Sequence, residues 1–385
     1  MKPIPYGRQY IAPDDLQAVH DTLLSNYLTQ GPKIPEFERE FAAMCGAKYC
    51  TMAANGTAAL HLSALALGVK PGDKVITTPI TFVASANGFR YCGAEIHFCD
   101  IDPATYLLDT DKLEEMLANA PVGTYKGVVT VDFAGYPADT ERLRKIADRH
   151  GLWVVEDACH APGGYFTDSK SGKEFCGAGN YSDLTVFSFH PVKHIATGEG
   201  GAITTNDERL HARLNLFRTH GITKDPALME ENHGGWYMEM VDLGYNYRIT
   251  DFQAALGLEQ LKRLRWSVDR RNEIAGKYDR AFGNIDSIVT PATAGGIRHA
   301  YHLYVIQTER RKELYDFLHA NDILAQVHYI PAHLMPYYRR FGWKKGDMPA
   351  AEAYYERCLS LPMFPTLTDR EQDYVIEKVI EFAKQ

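Results

Sequence analysis

Short apolar runs alternate with amphipathic stretches between about residues 14 and 208. This alternation is typical of strand and helix units that build a mainly parallel sheet. Because the apolar runs are continuous, they fit strands that helices cover on both faces. The pattern therefore predicts an α/β core. Its predicted strands are residues 74–78, 95–100, 127–133, 152–155, 184–189 and 201–205, and its clearest predicted helices are residues 57–67 and 139–150.

A long helical pattern over residues 250–282 leads out of this core. Beyond it, strands at residues 301–307 and 325–329 and helices at residues 311–320 and 369–383 predict a smaller α/β lobe. We therefore predict a large domain at residues 1–250, which includes the N-terminal segment. The connector helix and a small C-terminal domain occupy residues 251–385.

The composition is that of a globular protein, with 45% hydrophobic and 23% charged residues among 385, and it argues against extended disorder. A net charge of -8 without any basic run argues against a nucleic-acid partner. The seven cysteines are scattered without a CxxC pair, no signal-peptide pattern is present, and no apolar run is long enough to span a bilayer. We expect a cytoplasmic protein with reduced thiols, no metal site and no membrane contact.

Lys193 is the first candidate for chemistry, in the segment SFHPVKHIATGEGG between an apolar strand and a glycine turn. A lysine amine near its ordinary pKa of about 10.4 is protonated and inert. Carbonyl chemistry requires a site that favours the neutral amine or locks it in a covalent link to a carbonyl carbon. The alternative is a surface lysine in a turn, so the surrounding motifs must decide.

An acidic residue follows the apolar run at residues 152–155, in the motif VVEDACHA. Asp157 is therefore expected at the carboxyl end of a parallel strand, which faces the ligand crevice in open α/β sheets. A carboxylate there can pair with the protonated pyridine nitrogen of a cofactor. The alternative is an Asp that caps the next turn. His160 is expected to contact the cofactor ring, or to bind a local backbone group instead.

The segment AANGTAAL offers a seat for a phosphate group, because Gly56 lets the backbone approach an anion and a helix follows at once. Gly56 and Thr57 would donate amides and a hydroxyl at the positive end of that helix, and Ser188 would add another hydroxyl. Phe82, in TPITFVAS, would offer an aromatic face to a pyridine ring. Each feature alone is ordinary, but together they predict a pyridoxal phosphate pocket.

Five segments resemble the motif series of the DegT/DnrJ/StrS sugar aminotransferases, and the resemblance runs through nearly the whole chain. They are GTAAL, TFVASAN, VVEDACHA, FSFHPVKHIATGEGG and LGYNYRITDFQAALG. The resemblance implies the type I aminotransferase fold, with a large domain on a mainly parallel seven-stranded sheet and a smaller C-terminal α/β domain. It also implies the transfer of an amine to a sugar with pyridoxal 5'-phosphate as cofactor.

The resemblance assigns the two central roles to Lys193 and Asp157. Lys193 would bind the cofactor aldehyde covalently and would move protons during the reaction. Asp157 would pair with the pyridine nitrogen. Relatives in which a histidine replaces this lysine remove a sugar hydroxyl, so Lys193 favours amine transfer.

The same resemblance implies how the rest of the cofactor is held. Phe82 would stack on the ring, and Gly56, Thr57 and Ser188 would hold the phosphate. Asn246 would reach the phosphate of the neighbouring subunit's cofactor, so the resemblance implies a homodimer with shared active sites. On the residues alone, Asn246 and Arg248 line a site or cap the helix that begins near residue 250.

Within the family, the segments IPYGRQYI, LTQGP, HPVK, HYIPAHLMPYYR and LSLPMFPTLT are similar to the pseudaminic acid branch. This similarity implies amination of carbon 4 of a UDP-linked 4-keto-6-deoxy-N-acetyl-hexose to UDP-4-amino-4,6-dideoxy-N-acetyl-β-L-altrosamine. L-Glutamate would donate the amine and leave as 2-oxoglutarate. The expected sugar-nucleotide contacts are Thr29, Arg248, His328 and Tyr329.

Two alternatives stay open on the sequence. The first keeps the cofactor and changes the sugar, as in an enzyme that makes 4-amino-4-deoxyarabinose, perosamine or a 3-amino sugar. The second is a ligand-binding or regulatory protein that uses this fold without turnover. Intact Lys193 and Asp157 favour an enzyme.

Overall fold

The structure is a computed structural model that describes residues 2–170 and 172–385. Its α-helices are α1 (Pro13–Leu23), α2 (Lys33–Cys45), α3 (Gly56–Ala66), α4 (Ala84–Arg90), α5 (Thr110–Ala118), α6 (Thr140–His150), α7 (Glu208–Arg218), α8 (Asp251–Lys262), α9 (Leu264–Phe282), α10 (Arg311–Ala320), α11 (Pro336–Arg339), α12 (Pro349–Arg357) and α13 (Asp369–Ala383). Its strands are β1 (Ile4–Pro5), β2 (Tyr49–Ala53), β3 (Lys74–Thr77), β4 (Glu95–Phe98), β5 (Tyr125–Val131), β6 (Trp153–Asp157), β7 (Tyr165–Thr167), β8 (Lys173–Phe175), β9 (Leu184–Ser188), β10 (Gly201–Thr205), β11 (Ile222–Thr223), β12 (Glu239–Met240), β13 (Ile297–Arg298), β14 (Tyr304–Gln307), β15 (Ile323–Leu324) and β16 (Cys358–Leu361).

Seven strands form one sheet in the order β2, β10, β9, β6, β5, β3, β4. Neighbouring strands run parallel except at β10, which is antiparallel to both β2 and β9. Val128 and Val154 pack in one apolar cluster with residues of α5 and α6, whereas the next residues, Val129 and Val155, pack with residues of α3 and α4. Both faces are therefore covered, which explains the continuous apolar runs. The predicted mainly parallel, seven-stranded sheet is confirmed.

Polar caps set where two helices of this layer begin. Asn55 accepts a hydrogen bond from the Ala58 amide at 2.8 Å at the start of α3. Asp139 accepts one from the Arg142 amide at 2.9 Å at the start of α6. Gly151 then ends α6 in the left-handed conformation, with φ of 64°. These helices follow local rules, and their predicted positions are confirmed to within a residue or two at each end.

The connector is broken, so the single helix predicted over residues 250–282 is wrong in its middle. Arg263, with φ of -102° and ψ of 2°, leaves helical geometry between α8 and α9. Its guanidinium donates at 2.5 Å to Asp15, a fully buried residue of α1 that also accepts from Gln260 at 2.9 Å. A buried carboxylate without a cation is costly. The break between α8 and α9 lets the Arg263 guanidinium pair with the Asp15 carboxylate.

The C-terminal elements enclose a core of their own. Strands β14 and β16 pair antiparallel, and apolar residues of α9, α10 and α13 pack with them. Strand β1 pairs with β15, with Ile4 opposite Ile323, so the N-terminal segment packs against these elements. The domain boundary at residue 250 stays a prediction.

The strand predicted over residues 325–329 is wrong. Strand β15 ends at Leu324, and after it Gln326 makes only an isolated bridge with Ser360. His328 hydrogen-bonds the Ser360 hydroxyl through Nδ1 at 2.8 Å, and Tyr329 lines a cavity at the edge of the large sheet. Side-chain contacts thus replace a backbone ladder here.

The structure adds two facts to the composition. All seven cysteines are free thiols. Across residues 2–170 and 172–385, no helix combines the length and apolar character that crossing a bilayer requires.

Gly201→Ala tests a close approach between β10 and the start of α3. A Cβ at Gly201 would lie 2.7 Å from the carbonyl carbon of Asn55 and 2.9 Å from the amide nitrogen of Gly56. Both are backbone atoms of the helix start, so we expect the free energy of unfolding to fall by about 1–3 kcal/mol, as measured by urea denaturation. Gly295→Ala is the control, because a Cβ there meets no atom within 4 Å. Equal stability of the two variants would contradict the close approach.

Candidate active site

A cavity of about 650 Å³ lies at the carboxyl edge of the large sheet. Strands β6 and β9 reach it with their last residues, Asp157 and Ser188. The C-terminal elements complete the lining with His302, His328 and Tyr329. Ligands bind at this edge in open α/β sheets because strand ends and helix starts meet there.

Most of the sequence-predicted site residues share this cavity. Those that line it are Gly56, Thr57, Phe82, Asp157, His160, Ser188, Lys193, His328 and Tyr329. They come from segments that are up to 273 residues apart, from Gly56 to Tyr329. Their convergence is a result of the fold, and the role of each one stays a prediction.

Three predicted residues lie outside the lining. The backbone of Thr29 pairs with that of Thr250, and the backbone of Asn246, an exposed residue, pairs with Thr219. Arg248 is half-buried, and its Nε has no hydrogen-bond partner among the described residues. Their expected contacts with substrate or with a second subunit stay predictions.

Lys193 sits on the turn after β9, where its amide donates to the His190 carbonyl at 2.8 Å. Its amine lies 3.5 Å from Nε2 of His302. Burial disfavours the ammonium and lowers the pKa of Lys193 to about 8, although Cys159 and Asp157 act in the opposite direction. A useful fraction of the amine is therefore neutral near neutral pH and able to attack a carbonyl carbon.

Asp157 is the last residue of β6, as predicted, and its carboxylate is buried and held from two sides. Oδ2 accepts from the Ser85 hydroxyl at 2.5 Å, and Oδ1 accepts from the Cys159 amide at 3.2 Å. Donors that point at both oxygens fix the direction of the carboxyl group. The structure thus holds an acidic side chain in one orientation at the cavity wall.

The start of α3 offers an anion seat. Because the Asn55 side chain caps the Ala58 amide, the first amides of the helix, on Gly56 and Thr57, remain for a ligand. A Cβ on Gly56 would lie 3.0 Å from the Ser188 Cβ, so glycine lets the serine hydroxyl stand close to these amides.

The aromatic side chains differ in how firmly they are held. Phe82 is 58% exposed, and its ring centroid lies 6.2 Å from that of Tyr329. His160 is buried, and its Nδ1 accepts from the Ala134 amide at 3.2 Å. Burial and the nearby Lys193 hold the pKa of His160 well below its ordinary value, so its ring is neutral. His160 therefore binds a backbone group and also lines the cavity.

Two further buried carboxyl groups lie close to Asp157, on Glu156 of β6 and on Asp132, whose amide donates to the Asp157 carbonyl at 3.1 Å. One carboxylate oxygen from each of Asp132 and Glu156 and the Sγ atom of Cys176 lie within 4.8 Å of one another, and all three residues are buried. Burial raises the pKa of both carboxyl groups, and the charge on Glu156 adds to the effect at Asp132. Two negative charges, one on Asp132 and one on Glu156, are therefore disfavoured at the same time. Of the three acids, Asp157 is the one that lines the cavity.

Sequence reasoning missed several residues of the lining. Asn55 and Tyr247 belong to motifs that the sequence singled out, but their neighbours gave the stronger polar signals. Tyr6 lies in the segment IPYGRQYI, which indicated the sugar and not a cavity contact, and His302 lies in none of the quoted segments. Each is far from Lys193 along the chain, and only the fold brings it to the cavity.

The chemistry of the lining fits pyridoxal phosphate. Amides at a helix start suit its phosphate, an amine of lowered pKa suits its aldehyde, and a buried carboxylate suits its pyridine nitrogen. All three kinds of group line one cavity, through Gly56, Lys193 and Asp157.

Comparison with known proteins gives matches along almost the whole chain. The model of the DegT/DnrJ/EryC1/StrS aminotransferase family matches residues 9–380. The spore coat polysaccharide biosynthesis protein SpsC of Bacillus subtilis is 42% identical over 389 aligned residues, which cover 99% of this chain and 97% of SpsC.

Solved structures agree with the sequence matches. PseC of Helicobacter pylori, an aminotransferase involved in the biosynthesis of pseudoaminic acid, has a TM-score of 0.88 at 30% identity, with both chains fully covered. The pyridoxal phosphate form of Spr1654 from Streptococcus pneumoniae has a TM-score of 0.90 at 29% identity and covers 99% of both chains. The chain therefore belongs to the DegT/DnrJ/EryC1/StrS aminotransferase family and is a sugar aminotransferase that depends on pyridoxal phosphate.

Proposed function

We propose that the protein aminates carbon 4 of a UDP-linked 4-keto-6-deoxy-N-acetyl-hexose and so forms UDP-4-amino-4,6-dideoxy-N-acetyl-β-L-altrosamine, a precursor of pseudaminic acid. L-Glutamate donates the amine and leaves as 2-oxoglutarate. The observation that carries the proposal is the Lys193 amine, whose pKa is lowered to about 8 and which shares a cavity with Asp157, His328 and Tyr329. A cavity of this size, about 650 Å³, is typical of small-molecule sites.

Lys193 and Asp157 carry the chemistry in this proposal. Bound pyridoxal phosphate supplies an electron sink for the carbon that loses its proton. The neutral Lys193 amine takes a proton from the α-carbon of glutamate in the first half of the reaction, and it moves a proton again while the sugar is aminated. Asp157, fixed by Ser85 at 2.5 Å, keeps the pyridine nitrogen positively charged.

The remaining predicted residues hold the cofactor in place. Gly56, Thr57 and Ser188 bind the phosphate, at the anion seat of α3. Phe82 and His160 contact the ring, the first through its exposed aromatic face and the second through an imidazole that the Ala134 amide orients.

A second copy of the chain completes the site in this proposal. Residues 221–241 expose several large apolar side chains, and Asn246 follows them, exposed as well. The exposed apolar residues are Leu228, Trp236, Met238, Met240 and Val241. Exposed apolar surface of this kind marks protein interfaces. We place Asn246 on the cofactor phosphate of the partner, which makes the protein a homodimer with shared active sites.

The sugar nucleotide contacts the C-terminal side of the cavity. His328 and Tyr329 line it there, and Thr29 and Arg248 are proposed to join them when substrate binds. The likeness to PseC, at 30% identity, supports this choice of sugar. The cytoplasmic location stays a prediction.

A second candidate keeps the reaction and changes the sugar. Identity to SpsC, a spore coat polysaccharide biosynthesis protein, is 42%, against 30% to PseC. Other 4-amino sugars, including 4-amino-4-deoxyarabinose and perosamine, and 3-amino sugars are therefore the alternatives to test. The alternative of a ligand-binding or regulatory protein without turnover is not pursued, because the chain belongs to an aminotransferase family.

Lys193→Ala should abolish the visible absorption of the bound cofactor and lower turnover by at least about 10²-fold, because the covalent partner and the proton carrier are both lost. Borohydride reduction of the wild-type holoenzyme, followed by peptide mapping, should label position 193. Lys126→Ala, at the exposed start of β5, is the matched control and should keep both properties. A label on a different lysine would end this assignment.

Asp157→Asn should lower kcat by about 10²-fold or more, because the amide keeps the shape of the side chain but removes the charge that holds the pyridine nitrogen protonated. Ser85→Ala, which removes one hydrogen bond and keeps the carboxylate, should cost less. Steady-state kinetics with glutamate measure both variants. If Asp157→Asn reacted at the wild-type rate, Asp157 would not serve this purpose.

A panel of UDP-, dTDP- and GDP-linked 4-keto and 3-keto sugars tests the choice of substrate. We expect the highest kcat/KM with the UDP-linked 4-keto-6-deoxy-N-acetyl-hexose, because the segments around His328 and Tyr329 resemble the pseudaminic acid branch. Nuclear magnetic resonance of the product locates the new amine. An amine on carbon 3, or a clear preference for dTDP, would favour the second candidate and leave the reaction class unchanged.

A further inference from the structure

His302 is a side chain within hydrogen-bond reach of the reactive lysine amine, and it has no role in the function described so far. It is buried, and its Nε2 lies 3.5 Å from the Lys193 amine. That separation is the outer limit of a hydrogen bond, and catalytic contacts commonly shorten once substrate fills a site. We propose that His302 is a catalytic residue whose imidazole donates a hydrogen bond to the free Lys193 amine and so keeps that amine neutral and in place. The proposal rests on the role given to Lys193 above.

The backbone around His302 is held from several sides. The fully buried Arg271 lies within 3.0 Å of the Tyr301 carbonyl and 3.3 Å of the His302 carbonyl. The Leu303 amide donates to the Ala134 carbonyl at 3.1 Å. A side chain carried by such a segment has little freedom to leave the cavity.

Two more observations concern the link of this segment to the Lys193 turn and the backbone conformation of Tyr301. His194, the neighbour of Lys193, donates through Nε2 to the Ala300 carbonyl at 2.8 Å, so the lysine turn and this segment are tied together. Tyr301 has a φ of 48°, a left-handed conformation that costs a non-glycine residue free energy and is retained mainly at functional sites.

The hydrogen-bond partners of His302 decide which nitrogen carries its proton. Nδ1 is buried and has no partner among the described residues. A buried N–H without an acceptor is rarer than a buried acceptor without a donor, so the proton belongs on Nε2, which faces Lys193. Burial, with Lys193 and His160 close by, holds the pKa of His302 well below its ordinary value, so the ring is neutral. The Nε2–H group therefore needs a lone pair, which a neutral amine offers and an ammonium does not.

The other groups around Lys193 act on its pKa in both directions, so a hydrogen bond from His302 can still shift it. Burial and the Arg271 guanidinium favour the neutral amine, whereas Cys159 and Asp157 favour the ammonium. The titratable and charged groups that face Lys193 from the surrounding elements are Asp157, Cys159, His160, His194, Arg271, His302 and His328. The histidines are neutral because burial lowers the pKa of each, and for His328 the pKa falls to about 4. A donor hydrogen bond from His302 adds to the side that favours the neutral form.

The consequence for the reaction is that Lys193 holds the proton it takes only briefly and passes it on. A neutral Lys193 amine takes one proton from a substrate carbon and becomes an ammonium, which finds no acceptor on His302. The ammonium therefore gives the proton up more readily to the next atom that needs it. The amine is restored, the proton is conserved, and His302 begins and ends neutral.

The test compares two amides of different reach. His302→Gln places an amide near the position of Nε2, and His302→Asn places it near Nδ1, out of reach of Lys193. The labelling rate of Lys193 by trace acetic anhydride, followed by mass spectrometry against pH, reports the neutral amine in the full chain stripped of cofactor. The wild type should show a midpoint at or below about pH 8. His302→Gln should match it, and His302→Asn should shift it upward by about one pH unit, the equivalent of one net hydrogen bond.

The glutamate half-reaction of the holoenzyme gives a second readout. His302→Asn should slow it about tenfold near neutral pH, and the loss should fade as rising pH restores the neutral amine. A purely structural role would lower the rate at every pH. His302→Phe, which keeps a ring and removes the donor, is the second loss variant if His302→Asn does not fold.

His299→Gln is the matched control for the segment. His299 stacks on Tyr301 and accepts from its amide at 2.8 Å, but it does not line the cavity. It should cost stability and leave the Lys193 midpoint near the wild-type value. An unchanged midpoint in both loss variants would overturn the proposal for His302. A holoenzyme that borohydride does not label at position 193 would instead overturn the role of Lys193.

Discussion

The site depends on keeping one lysine amine neutral in a cavity that also holds a carboxylate. Water would keep Lys193 protonated, so the amine must be withdrawn from water, yet Asp157 in the same cavity favours the ammonium. In the proposed function the carboxylate cannot be removed, because it pairs with the pyridine nitrogen of the cofactor. Burial outweighs the carboxylate and brings the pKa of Lys193 to about 8. Enclosure, rather than any single contact, is therefore the first requirement of this fold.

The large sheet supplies the reactive groups, and the C-terminal elements supply much of the enclosure. Asp157 and Ser188 end two neighbouring strands, whose parallel register sets Asp157 opposite Val186. His302 and Tyr329 arrive from the other part of the chain and line the same cavity. Without them Lys193 would face water and would return toward its ordinary pKa. The chemistry of the site therefore requires both the large sheet and the C-terminal elements, in addition to the packing between them.

The predictable part of the site is the part that local sequence controls. A strand end placed Asp157, and a glycine before an apolar helix placed Gly56, because both follow from rules that span a few residues. The break at Arg263 depends on Asp15, 248 residues away, and no helical pattern contains that information. His302 is similar, since its meeting with Lys193 requires the whole fold between them. Long-range contacts were missed for this reason.

In the proposed function, the choice of sugar depends on the segments whose structure local sequence patterns predicted least well. The cofactor side of the cavity serves any amine transfer, so it carries little information about the substrate. Tyr6 and His328 stand together on the other side, with ring centroids 5.1 Å apart, and the pairing of β1 with β15 holds their two segments side by side. The Met363 amide also donates to the Tyr6 carbonyl at 2.9 Å. Differences in sugar preference between relatives should therefore arise where the N-terminal segment meets the residues after β15.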